Sequence, residues 1–250
     1  MSPVIHNFTA PDGARLAWHE LGEGRPVLLL HGLFSNAFTN WIRYGHAAAL
    51  SERGLRAIML DHRAHGDSAK PHDPAAYPKD VLTTDALALV DHLALTDYDL
   101  VGYSLGARTA VRMIAQGARP RRLVLAGMGL EGLLGATGRA DHFRDILLNL
   151  GKHERGSPKW MAEAFLKTTK GDPKALLNLL DTWEHLGEAD LDAVTMPTLV
   201  VAGAEDQDNG SAPALAERLA DGRYAEVPGG HMSSVTRAEL GIAIADFLAA

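Results

Sequence analysis

Six short runs of mostly apolar residues, separated by stretches of helical period, constrain this chain more than anything else in its sequence. They fall at 26–30, 55–60, 98–102, 122–126, 198–202 and 223–227. A strand with one wet face alternates apolar and polar residues, whereas a strand covered on both faces is apolar throughout. Continuous runs therefore predict a parallel sheet buried between two layers. The stretches at 40–53, 80–94, 107–117, 212–220 and 237–249 repeat apolar residues three and four apart and predict the covering helices. Strand, helix and strand in succession, joined by right-handed crossovers, make a doubly wound α/β domain whose ligand loops lie beyond the carboxyl ends of the strands. Residues 4–9 and 14–20, around Pro11-Asp12-Gly13, read as a hairpin on the antiparallel edge of that sheet.

The rhythm breaks once. Between 129 and 194 no strand is predicted, but helical stretches occur at 139–150, 159–168 and 173–183, punctuated by Gly151, Gly156-Ser157-Pro158 and Gly171-Asp172-Pro173. This segment reads as a helical insertion after the sixth core strand, so that 1–128 and 195–250 together form the core domain. With 250 residues, 46% of them hydrophobic, the chain can bury a full core. Its formal charge of -7 repels a phosphate backbone, which argues against a nucleic-acid partner. No run approaches the roughly eighteen apolar residues of a membrane span, and the N-terminal residues lack a basic region followed by a long apolar one. Together with the absence of cysteine, these features lead to the expectation of a cytoplasmic protein with no membrane partner. The oligomeric state leaves no mark in the sequence.

Chemistry enters at Gly102-Tyr103-Ser104-Leu105-Gly106, a G-x-S-x-G pattern that closes one predicted strand and opens a predicted helix. Small residues on both sides let the chain turn sharply and hold the serine hydroxyl clear of the fold. A serine hydroxyl is a weak nucleophile near neutral pH and requires a histidine base, itself oriented by a third group. His231, in Gly229-Gly230-His231 after the last predicted strand, and Asp206, in the loop after the strand at 198–202, occupy loops at carboxyl ends of strands. Glu205 and Asp208 flank Asp206, and Glu131 follows the preceding strand, so each is an alternative acid. His31-Gly32-Leu33-Phe34-Ser35 also follows a strand, where a backbone N–H can join that of Leu105 to stabilise a developing oxyanion. The crowded segment Asp61-His62-Arg63-Ala64-His65-Gly66-Asp67-Ser68 invites a metal reading, which is set aside because its spacing follows no zinc pattern such as H-E-x-x-H.

Taken together, strand then His31-Gly32, strand then Asp61-x-Arg63-x-His65-Gly66-x-Ser68, Gly102 to Gly106, Gly203-x-x-Asp206 and Gly230-His231 resemble the α/β-hydrolase superfamily over essentially the whole chain. The look is that of small, capped, bacterial esterase-like serine hydrolases. The resemblance implies a mostly parallel eight-stranded sheet with helices on both faces and a helical cap at 129–194. It implies Ser104 as nucleophile, His231 as base, Asp206 as orienting acid, and the N–H groups of Leu33 and Leu105 as oxyanion donors, with Phe34 as substitute. The Asp61 to Ser68 segment becomes a structural loop. Relatives often carry glycine at position 64, and the alanine here is expected to take a negative φ. Aspartate at the elbow would serve dehalogenation or epoxide opening, so serine points to acyl transfer to water, with no cofactor and no metal. The expected partner is a small, largely apolar ester. Carbon-carbon, thioester or lactone hydrolysis and peracid formation use the same residues, and a non-turnover receptor is the alternative of another class. Phe34, Tyr103, Phe143, Trp160 and Trp183 are the expected pocket residues.

Overall fold

The computed structural model describes residues 2–250; Met1, the first residue of the N-terminal stretch read above, lies outside them. Eight strands form one sheet in the order β1-β2-β4-β3-β5-β6-β7-β8. They are β1 (Val4–Thr9), β2 (Arg15–Leu21), β3 (Arg25–Leu30), β4 (Leu55–Leu60), β5 (Asp99–Tyr103), β6 (Leu123–Ala126), β7 (Thr198–Gly203) and β8 (Gly222–Val227). The pairs β1–β2 and β2–β4 are antiparallel, and every pair from β4 across to β8 is parallel. This is the mostly parallel eight-stranded sheet that the resemblance implies. Its central strands β5, β6 and β7 are buried along their whole length, which is why their sequences are apolar without alternation.

The helices in chain order are α1 (His46–Ser51), α2 (Val81–His92), α3 (Leu105–Ala115), α4 (Leu130–Leu134), α5 (Ala136–Leu148), α6 (Pro158–Thr168), α7 (Pro173–Leu180), α8 (Glu188–Asp192), α9 (Ala212–Arg218) and α10 (Ala238–Ala249). Successive β3 residues serve opposite layers: Leu28 and Leu30 join a core with Leu89 of α2, Ala110 of α3 and Leu215 of α9. Val27 and Leu29 join a second core with Leu50 of α1 and Leu240, Ile244 and Leu248 of α10. Both faces of the sheet are thus covered. Five helices, α4 to α8, occupy the chain between β6 and β7, and a third apolar cluster links Ile146, Leu166, Leu176 and Leu179 of this segment to Phe34, Tyr77, Val81 and Leu105 of the core. Among the described residues, no helix is long and apolar enough to cross a membrane.

Two sequence expectations need correction. The helix predicted over 40–53 is divided into a π-helical turn at Phe38–Ile42 and α1, because Gly45 at φ +84° turns the chain between them. Ala64 does not take a negative φ but sits at +70°. Its neighbours dictate that conformation. The Ala64 N–H donates to Ala69 O at 3.0 Å and the His65 N–H to His62 O at 2.9 Å, closing a tight loop that the left-handed backbone alone satisfies. Beside it, the Arg63 guanidinium is clamped by Asp85 at 2.7 and 3.0 Å, Asp12 at 2.5 and 3.0 Å and the Ala76 carbonyl at 2.6 Å. Fixing Arg63 on one side and His65 on the other outweighs the ~1–2 kcal/mol that alanine loses in this region.

Arg63 and Asp85 are each only 1% exposed. Burial opposes the Arg63 charge, but its two carboxylate partners hold its pKa above the ordinary guanidinium value. Replacing Arg63 by methionine leaves Asp85 buried without a counter-ion, so urea unfolding is expected to show a loss of about 3–5 kcal/mol. Adding Asp85→Leu removes the orphaned charge and is expected to recover much of that loss in the same measurement.

Candidate active site

Ser104 joins β5 to α3 with φ 53° and ψ −111°, a conformation outside the regions that non-glycine residues ordinarily occupy. The glycines on either side make the corner passable. A Cβ on Gly102 would run into the backbone of Gly106 and Ala107, and one on Gly106 would run into the backbone of Leu30. The Ser104 N–H is anchored to Ala126 O at 2.8 Å. Its hydroxyl stands free at the carboxyl end of the sheet.

Two loops at that same end meet it. His231 Nε2 lies 3.1 Å from Ser104 Oγ, and His231 Nδ1 lies 2.9 Å from Asp206 Oδ2. An ionised carboxylate only accepts, so Nδ1 carries the proton and donates to Asp206, leaving Nε2 to accept from the Ser104 hydroxyl. Burial raises the Asp206 pKa, but the His231 hydrogen bond and charge, the Asp208 N–H and Arg139 outweigh it, and the carboxyl titrates below its ordinary value. Asp208 donates its N–H to Asp206 Oδ1 at 3.1 Å. Glu131 is elsewhere, accepting the Ser211 N–H at 2.7 Å at the start of α9. Of the four carboxylates considered, Asp206 is the one bonded to His231.

The Leu33 and Leu105 N–H groups have no acceptor among the described residues. Phe34 does not share this freedom, because its N–H donates to His65 Nε2 at 3.2 Å. The loop carrying Leu33 is built on a network of buried histidines. His31 donates from Nδ1 to Gly32 O at 2.8 Å and accepts the His62 N–H on Nε2 at 3.0 Å, His65 donates from Nδ1 to Arg63 O at 3.0 Å, and the Gly32 N–H donates to Asn40 Oδ1 at 3.1 Å. Asp61 accepts the N–H groups of Ala37 at 2.7 Å and Asp67 at 2.8 Å. Two triads, His19-Asp61-Asp67 and Asp206-Asp208-His231, bring possible metal-ligand atoms within 4.8 Å of one another. The hydrogen bonds just described already occupy Asp61, Asp206 and His231.

Beside Ser104 lies a small, partly open cleft. Leu33, Leu105, Phe143 and Trp183 line it, as do Arg108, Arg139 and Asn209, none of which was expected. Phe34 stands one layer behind, edge-on to Phe143 with ring centroids 5.5 Å apart. Tyr103 lies on the far side of His231, its hydroxyl donating to the His231 carbonyl and lying 3.0 Å from Ser234 Oγ. Trp160 is on the outer surface of α6, 36% exposed. Asn209, three residues after Asp206, donates from Nδ2 to Gly127 O at 2.8 Å, and its buried Oδ1 has no partner. Its place in the Asp206 loop is a usable signal; nothing in the sequence around Arg108 or Arg139 points to the cleft.

The buried histidines make a measurable demand on pH. Burial holds His31 below its ordinary pKa, His62 well below it and His65 down to about 3. They are neutral in the folded chain, while the unfolded chain takes up protons below about pH 6.5. Their contribution is complete above that pH and is lost as pH falls toward 3. The thermal midpoint is therefore expected to drop progressively over that window, and His65→Gln to make the descent shallower by about one proton in the slope of stability against pH.

Residues 27–241 match the pattern described as Alpha/beta hydrolase family. The chain is 36% identical over 142 residues to the dihydrolipoyllysine-residue acetyltransferase component of an acetoin cleaving system from Pseudomonas putida, an alignment covering 51% of this chain and 36% of that protein. This chain therefore accounts for little more than a third of that relative's length. A 2-hydroxymuconate semialdehyde hydrolase from a Pseudomonas strain is 28% identical over 229 residues, covering 82% of this chain and 79% of the relative. Among solved structures, a hydrolase from Pseudomonas aeruginosa superposes with a TM-score of 0.80 at 24% identity, covering 98% of each chain. That likeness concerns the fold.

Proposed function

The chain belongs to the alpha/beta hydrolase family, and on that premise we propose that it is a serine hydrolase cleaving a carboxylic ester through an acyl-enzyme. The observation that carries the reading is the continuous relay from Ser104 Oγ through His231 to Asp206, with links of 3.1 and 2.9 Å. His231 Nε2 removes the hydroxyl proton as Oγ attacks the ester carbonyl, and Asp206 steadies the imidazolium that results. The Leu33 and Leu105 N–H groups receive the oxyanion. Collapse of the tetrahedral intermediate breaks the bond to the alcohol, which leaves with the proton from His231. Water then gives a proton to the same nitrogen and attacks the acyl carbon, and as the Ser104–acyl bond breaks His231 returns that proton to Ser104 Oγ and the acid is released.

Within this reading residues 129–194 are a cap over the site, contributing Phe143 and Trp183 to the acyl pocket. Free N–H groups at Leu33 and Leu105, with Phe34 committed to His65, support the oxyanion assignment. The same relay can break the carbon-carbon bond of a semialdehyde-type substrate, the class named for the 28%-identical Pseudomonas hydrolase, so such a compound belongs in the test panel.

A fluorophosphonate probe is expected to label wild-type protein and not Ser104→Ala, and a panel of esters of graded acyl length to show turnover that the variant lacks. Protein that neither labels nor turns over any ester would overturn the proposal, and labelling with one burst and no turnover would make the chain a receptor. Asp206→Asn is expected to lower kcat by about ten-thousandfold, whereas Glu131→Gln keeps the wild-type rate; the reverse pattern would move the acid to Glu131.

A further inference from the structure

Two side chains that line the cleft beside Ser104 carry hydrogen-bond donors with no carboxylate to receive them: a half-buried guanidinium and a buried indole N–H. The first is Arg139 of α5. Its Nη1 donates to the Asp208 carbonyl, and among the described residues no carboxylate lies within ion-pairing distance of it. Its guanidinium carbon sits over the Phe143 ring, 5.7 Å from the centroid. Burial pulls the Arg139 pKa below its ordinary value, while the charges of Asp208 and Asp206 act in the opposite sense. The second donor is Trp183, whose ring meets that of Phe143 edge-on at 6.4 Å and whose indole N–H is buried with no partner. Arg139, Phe143 and Trp183 therefore form one continuous surface of the cleft that Ser104 also lines.

The other cation of this cleft is already committed. Arg108 donates from Nη1 to Leu133 O at 2.7 Å and from Nη2 to Glu184 O, which spends its fork on two backbone carbonyls. Arg139 has one of its five N–H groups engaged, and a guanidinium presents the rest in a planar fork that matches a carboxylate. Asp206 is held by His231 and the Asp208 N–H, so it offers Arg139 no direct pair.

We infer that Arg139 and Trp183 form an anion-recognising end of the cleft, and that the substrate is an ester carrying a free carboxylate beside its scissile acyl group. This rests on the reading of Ser104 as nucleophile. The reaction is then hydrolysis of an ester that bears a carboxylate on its acyl or its alcohol side: water and the ester are consumed, the acyl–oxygen bond breaks, and an alcohol and an acid are released, with that carboxylate untouched throughout. The apolar walls, Leu33, Leu105 and Phe143, take the chain between the two ends.

A different role for Arg139 would be to brace the Asp206 loop through the Asp208 carbonyl. Bracing affects all esters alike, whereas recognition changes the ratio between charged and neutral ones, and that ratio is the readout. Monomethyl glutarate is compared with methyl pentanoate, which places the carboxylate on the acyl side, and acetoxyacetate with propyl acetate, which places it on the alcohol side. Wild-type protein is expected to favour the charged member of at least one pair in kcat/KM. Arg139→Gln is expected to reduce that preference by about ten- to a hundredfold, the scale of charge-assisted hydrogen bonds, and Arg139→Lys to retain part of it. Equal rates within both pairs, or a preference unchanged in Arg139→Gln, would overturn the inference while leaving the hydrolase reading intact. If no ester is turned over, the hydrolase reading fails, and titration calorimetry with glutarate still decides the subsite. Heat of binding to wild-type protein that is lost in Arg139→Gln and partly kept in Arg139→Lys supports it, and no binding, or equal binding by all three, refutes it.

Discussion

The site depends on how closely the chain leaving β5 passes over β3. With Gly106 seated on the backbone of Leu30, and Gly102 under Gly106 and Ala107, α3 lies against the sheet with no side chain between them. Ser104, at the corner, is pressed into φ 53° and ψ −111°. The same contact aims the first turn of α3 at the reaction centre, so the unsatisfied Leu105 N–H and the positive end of the helix face the point where negative charge would develop. The strained Ser104 corner and the field at the start of α3 thus have one geometric origin.

The second donor has a different foundation. Leu33 is held by a loop that rests on uncharged imidazoles, each using Nδ1 to grip a carbonyl and Nε2 to receive a backbone N–H, as His31 and His65 do. Were these rings charged, Nε2 could no longer accept and the loop would lose its supports. Burial keeps them neutral, and this explains a histidine-rich segment that looks, on paper, like a metal site. Asp61 serves in the same way, collecting N–H groups from Ala37 and Asp67.

The sheet could be read from the sequence because burial on both faces removes polar residues, and that requirement is local to each strand. Ser104, Asp206 and His231 could be read because each follows such a strand and the chain order is informative. Other features depend on contacts distant in sequence. Ala64 takes a positive φ because Arg63 is clamped by Asp12 and Asp85, neither of which its neighbours announce. Helices α4 and α8, five residues each, are too short to show a period. Trp160 and Trp183 both fall in stretches predicted as helix, yet Trp160 sits on the exposed side of α6 while Trp183 lies beyond the end of α7 and lines the cleft.

Arg108 lies one turn beyond Ser104 on α3 and reaches the carbonyls of both Leu133 and Glu184, near the two ends of the segment between β6 and β7. A single side chain on the helix that follows Ser104 therefore ties down the segment at two widely separated points. Among the described residues, the roughly fifty between those anchors make no hydrogen bond to α3, and Ile146, Leu166 and Leu176 meet it through apolar packing with Leu105. Most of them shape the walls of the cleft and bear on selectivity, but Arg139, on the Asp208 carbonyl, and Thr169, on the Phe34 carbonyl, tie the same segment to the loops around Ser104.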